Sequence, residues 1–139
     1  MLFRSNDIII QSIHLFGSAI SNWDLNLRCV NLITILESIF LKDDENYKME
    51  IKTKQRLANL LSDQKQEKER IKTILTDIYQ VRHKMIHKAK RLSIDFKELS
   101  EAQRIIVTVF IRLIQFNTEF GYKDKLTLIE KLEETKIEN

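Results

Sequence analysis

The sequence predicts an all-α fold, a compact helical bundle of five main helices plus a short C-terminal one, and three observations predict it. The chain of 139 residues contains no proline and two glycines, whereas a sheet protein needs turn chemistry every ~8–12 residues. Apolar residues recur at helical spacing along most of its length. The segment most easily mistaken for a buried strand, "IIVTVFIRLIQF", settles the matter through its polar positions. Arg104, Thr108, Arg112 and Gln115 are spaced four, four and three apart, which is one narrow stripe on a helix and not an alternation of two. With 43% hydrophobic and 31% charged residues, the composition is that of a globular chain long enough to bury a core.

"NDIIIQSIHLFGSAIS" predicts a first helix over about residues 6–21, capped by Ser5 or Asn6. "WDLNLRCVNLITILESIFL" predicts a second over about 23–41, apolar around most of its circumference and therefore central. "DDENY" interrupts it, and a third helix follows over about 48–61. The fourth opens near Ser62-Asp63 on "DQKQEKER", with acids near its N-terminus as the helix dipole favours, and runs to about His87. "KAKRLSIDFKEL" reads as a connector, and Ser100 with Gln103 three places on makes a capping box that opens the fifth helix. Gly121 stops that helix, an amphipathic piece covers about 123–134, and the tail "ETKIEN" is expected to fray. Without a repeat or linker, residues 1–139 form one domain, whole in itself or part of a longer protein.

Several function classes drop out on composition. A lone cysteine, Cys29, has no internal disulfide partner and no neighbour that would activate it, which fits a small hydrophobe in a reducing cytoplasm. The N-terminus is broken by Arg4, Asp7, Gln11 and His14, so it is no secretory signal. The longest apolar run is about half of the ~20 residues a membrane span needs and contains Arg112. The expectation is a soluble, cytoplasmic protein with no membrane partner. Of the 23 Lys and Arg residues, five lie in "VRHKMIHKAKR", residues 81–91, which has no carboxylate; the 20 acids outnumber the rest. Such a local patch suits a polyanion.

Placed at ~100° per residue, Ile71, Ile74, Leu75, Ile78 and Met85 define the core face of the fourth helix, and Arg82 falls inside it. A guanidinium there needs an acid, a ligand or a wet cleft. Glu37, in the apolar arc of the second helix, is the candidate partner. His83 and His87, four apart, share a face away from the core centre, with Tyr79 and Lys90 nearby. His-x-x-x-His can chelate zinc, but the zinc-protease pattern needs Glu where Lys84 stands, and no third ligand is evident. No metal and no cofactor are therefore expected. Two readings remain: histidines on a solvated helix end, or acid–base chemistry on a phosphodiester with Arg and Lys holding the phosphate.

"YQVRHKMIH", Tyr79 to His87, resembles the signature of HEPN domains: Arg, a polar residue, three positions, then His. Arg82, His83 and His87 match it. "ILESIF" on the second helix, "KTKQRLANLL" on the third and "IYQVRHKMIH" at the end of the fourth are similar to the Apea-like branch of that family. Lys88 and Ala89 depart mildly from its preference for a small residue soon after the His. The resemblance implies a bundle that dimerises with its R-x4-H motifs facing. It also implies a metal-independent endoribonuclease in a toxin–antitoxin or antiviral system, with an antitoxin or other regulatory protein as a further partner. Some members are inactive RNA-binding or assembly modules. On this reading His87 is the general acid/base, Arg82 the phosphate stabiliser and His83 an orienting or second proton-transfer group. Lys84, Lys88, Lys90 and Arg91 would hold the RNA backbone, and Tyr79 would stack on a base or pack in the interface. Arg82 and His87 lie about 140° apart around an unbroken helix. Either the helix distorts near His87 or a two-fold dimer combines the motifs.

Overall fold

A computed structural model describes the backbone of residues 4–120 and 125–137, and side chains over 8–115 and 125–133. Among these residues every regular element is a helix: α1 (Arg4–Ile20), α2 (Leu25–Phe40), α3 (Met49–Leu61), α4 (Lys65–Lys88), α5 (Phe96–Phe120) and α6 (Lys125–Ile137). The bundle expected from the proline and glycine counts is thus the fold. Gly121 lies outside the described residues.

Three helix starts differ from the expected ones, those of α2 and α5 for a local hydrogen-bonding reason. Ser5 and Asn6 lie inside α1 rather than capping it. The start of α2 falls two residues later than expected because Asp24 caps it, its carboxylate accepting from the Asn26 and Leu27 N–H groups at 3.0 and 3.3 Å. That leaves Trp23 outside the helix and 98% exposed. Ser100 does not open α5. Asp95 does, accepting from Lys97 N–H at 2.9 Å with its side chain and from Leu99 N–H at 3.1 Å with its carbonyl. Asp95 followed by Glu98 is itself an acid-type version of the capping pattern, five residues upstream of the one favoured. At the other end, α6 continues to Ile137, into the tail expected to fray.

Helix α2 is central, as its all-round apolarity requires: Cys29, Leu32, Ile33, Ile35, Leu36, Ile39 and Phe40 are all buried. It packs against α1, α3, α4 and α6. Burial pushes the Cys29 thiol up to about 11. Helices α4 and α5 complete the core through Ile71, Leu75, Ile78, Leu99, Ile106 and Leu113. A T-shaped contact between Phe16 and Phe110, centroids 5.6 Å apart, joins α1 to α5. The polar stripe of α5 is at the surface, but its exposed face is wider than that stripe: Val107, Ile111 and Ile114 are about half exposed as well. Among the described residues its main packing is against α1, α3 and α4, and these three positions lie away from it.

Polar pins fix the smaller helices. Arg56 of α3, 5% exposed, donates to Glu45 at 2.6 and 3.0 Å, to Glu133 at 2.8 Å and to the Phe40 carbonyl at 2.8 Å. It therefore joins α2, α3, the α2–α3 turn and α6. Asn59 donates to the Leu132 carbonyl at 3.1 Å, beneath an apolar contact made by Leu128, Ile129 and Leu132.

Candidate functional site

The basic stretch 81–91 occupies the last two turns of α4 and the connector to α5. The helix runs without a break to Lys88. Ala89 then takes a left-handed backbone conformation (φ 49°), and the Lys90 N–H returns to the Lys84 carbonyl at 3.0 Å. The connector is latched onto the start of α2. Asn26 donates to the Leu92 carbonyl at 3.1 Å and accepts from the Leu92 N–H at 3.0 Å, pairing with the backbone as a strand would. Beside it Arg91 forms an ion pair with Asp24. The hydrogen bond from Arg91 holds the Asp24 carboxyl below its ordinary range.

Arg82 stands where the helical wheel places it, against α2, and its partner is Glu37. The two terminal guanidinium nitrogens donate to the two carboxylate oxygens at 2.6 and 2.9 Å. The Tyr79 hydroxyl donates to the same carboxylate at 3.0 Å. The guanidinium lies over the Tyr79 ring, 5.2 Å from its centroid. Side-chain exposures of 22% for Arg82 and 11% for Glu37 make this a half-sheltered pair at the edge of the core. Burial works against the charge on Arg82, but the bidentate bond to Glu37 outweighs it and raises the guanidinium pKa. Burial beside a carboxylate likewise drives the Tyr79 phenol upward.

Tyr79 corrects the sequence reading. It is 3% exposed, so neither face of its ring is open to a base, and its role is to brace Glu37. The wheel misplaced it because α4 packs against three helices, α2, α3 and α5. Its buried arc, from Ile71 through Tyr79 and Val81, is wider than a single apolar stripe.

His83 and His87 are both exposed, their ring centroids 4.8 Å apart and the planes inclined at 48°. Lys84 is half-buried, Lys88 and Lys90 are exposed, and Arg91, although exposed, is committed to Asp24. Ile86, which the sequence reading passed over, is 61% exposed. At ~100° per residue it projects between Arg82 and the His pair.

One chain therefore brings together Arg82, Glu37 and Tyr79 on the inner edge of α4, and His83 with His87 on its outer face. It does not bring Arg82 and His87 onto one atom, because the helix that carries them is regular through both. On the far flank of α4, a shallow groove lined by Asp77, Gln80, Leu92, Ser93 and Glu98 carries carboxylates that would repel a phosphate. Among the described residues, no group of three or more His, Cys, Asp or Glu side chains is placed to hold a metal ion. None of the described helices is long and apolar enough to cross a membrane.

Compared with the models of known protein families, with curated proteins and with solved structures, the chain matches none of them.

Proposed function

We propose that this protein is a metal-independent endoribonuclease of the HEPN kind, acting as a homodimer in which the ends of two α4 helices face each other. The observation that carries the reading is the pair of solvent-facing imidazoles, His83 and His87, set beside a permanently charged guanidinium in a carboxylate-free basic stretch. RNA brings its own nucleophile, the 2′-hydroxyl, so the protein must supply a proton carrier, a positive group for the developing charge and orientation. His87 serves as general acid/base and His83 orients the phosphate or carries the second proton. Arg82 has five N–H donors in all, of which Glu37 takes two, and the remaining edge is free to bind a phosphate oxygen. Lys84, Lys88 and Lys90 supply backbone affinity, with Arg91 joining them only by leaving Asp24. The products would carry a 2′,3′-cyclic phosphate or 3′-phosphate and a 5′-hydroxyl. In keeping with the family it resembles, a toxin or antiviral role with a regulatory partner protein is the biological setting that fits.

The second copy answers the geometric problem: His87 of one chain approaches Arg82 of the other across the two-fold axis, with Ile86 of both chains between them. The test is RNA cleavage in EDTA by the purified protein. His87→Ala should abolish it while leaving the helical circular-dichroism signal unchanged, because the side chain is exposed. Cleavage equal to wild type would end the catalytic assignment.

One observation favours a second reading, an inactive RNA-binding or assembly module of the same fold. The full bidentate engagement of Arg82 by Glu37 is also what a purely structural strut would look like. RNA binding without cleavage, unaffected by His87→Ala, would select it.

A further inference from the structure

We infer that His83 and His87 form a chelating site for a first-row divalent ion, zinc, nickel or copper, on the outer face of α4. The argument is one of distances. A zinc ion lies about 2.0–2.1 Å from an imidazole nitrogen, and hence about 3.2 Å from that ring's centre. Two imidazoles on one ion, at nitrogen–metal–nitrogen angles between about 90° and 109°, then have centroids roughly 4.5–5.2 Å apart. The rings of His83 and His87 are 4.8 Å apart. The helix has already set the spacing, and rotation about the side-chain bonds is enough to turn one nitrogen of each ring onto a common ion.

The surroundings allow this. Both side chains are exposed, so an ion can arrive with its water and keep part of it. Neither imidazole donates to or accepts from another described group in a hydrogen bond that would have to be broken. Lys84 and Lys88 point about 60° and 100° away from His87 around the helix at ~100° per residue, and the charge of exposed Lys88 is screened by solvent. The flanking residues supply no third ligand. Two imidazoles and water make a site for an ion that comes and goes with its concentration, unlike the closed four-ligand sites that hold structural zinc. Once the first ring is bound, the second closes intramolecularly at high effective concentration, so the pair binds far better than either ring alone.

The consequence for activity rests on the ribonuclease reading. An ion on both rings removes the proton carrier and its helper together, so micromolar zinc would be a reversible inhibitor of an enzyme that needs no metal, and EDTA would restore it.

Isothermal titration of tag-free, metal-stripped protein with zinc chloride, and in parallel with nickel chloride, tests the site without reference to RNA. The expected result is saturable binding that weakens roughly tenfold or more in His83→Ala and in His87→Ala alike. It should be unchanged in His14→Ala, which removes the third histidine of the chain, exposed on α1. All three variants lie at the surface, and circular dichroism checks that each is folded. Equal affinity in wild type and the two α4 variants, or loss in only one of them, overturns the chelate. Protein that binds zinc through the pair but never cleaves RNA leaves the site standing and ends the ribonuclease reading. Protein that cleaves in EDTA and binds no zinc does the reverse.

Discussion

Arg82 has to satisfy two demands with one guanidinium. Its bidentate bond to Glu37 fixes the end of α4 against α2, and in the proposed reaction the donors left over bind the phosphate. Arg82→Ala should therefore lose activity and also lower stability by about 1–3 kcal/mol, since it strands a carboxylate that is 11% exposed. Urea denaturation measures the second effect and RNA cleavage the first. Arg82→Lys should rescue neither, because an ammonium cannot reproduce a two-pronged donor. A loss of activity at wild-type stability would mean that the Glu37 bond contributes nothing to the fold. The partner acid was legible in the sequence as a candidate, since Glu37 is the one acid within Leu25–Phe40. The burial of Tyr79 was not, because it depends on α4 being packed by three other helices.

At the scale of the element, the end of α4 and its connector behave as a unit. Asn26 is 7% exposed and satisfies both backbone groups of Leu92. Asn26→Ala should cost about 1–3 kcal/mol, the usual penalty for unpaired buried polar groups. It should also speed amide exchange over residues 89–95 far more than in α2 or α3. Uniform exchange rates across the variant would show that the latch is not what orders the connector. Lys88 and Lys90 flank this turn and are exposed. Reversing both charges should weaken RNA binding and flatten its dependence on salt, because fewer counterions are released. An unchanged salt slope would place the RNA elsewhere.

Two properties belong to the whole molecule. The first is acid sensitivity. Arg56 holds the Glu45 carboxyl down, from an ordinary 4.5 to about 2, and the same guanidinium joins α2, α3 and α6. A carboxyl with a depressed folded pKa stabilises the fold at any pH above its unfolded value and ceases to do so as the pH falls through the folded one. Thermal stability should thus fall between about pH 4.5 and 2, and Glu45→Gln should flatten that limb while lowering stability at neutral pH. A limb of unchanged slope in the variant would assign it to other acids. The second property is assembly. If each site takes Arg82 from one chain and His87 from the other, mixing inactive Arg82→Ala and His87→Ala proteins should restore one intact site per heterodimer. A fully active monomer in the analytical ultracentrifuge at tens of micromolar (roughly the range of a weak dimer) would defeat the shared site.

The sequence by itself determined that the chain is helical, how many helices it has, that the second is central, and that Arg82 on its core face needs compensation, with Glu37 the candidate acid. These follow from local periodicity and from the energetic cost of an unpaired charge, both of which act within a few residues or within one helix face. The tertiary structure alone decided that Tyr79 is internal, that Arg91 is tied to Asp24, and that Arg56 staples three helices. Each of these depends on which element arrives opposite, at separations such as the 67 residues between Asp24 and Arg91. No spacing rule along the chain reaches that far, because contacts of that kind are set by how apolar faces pack, not by the residues that flank them.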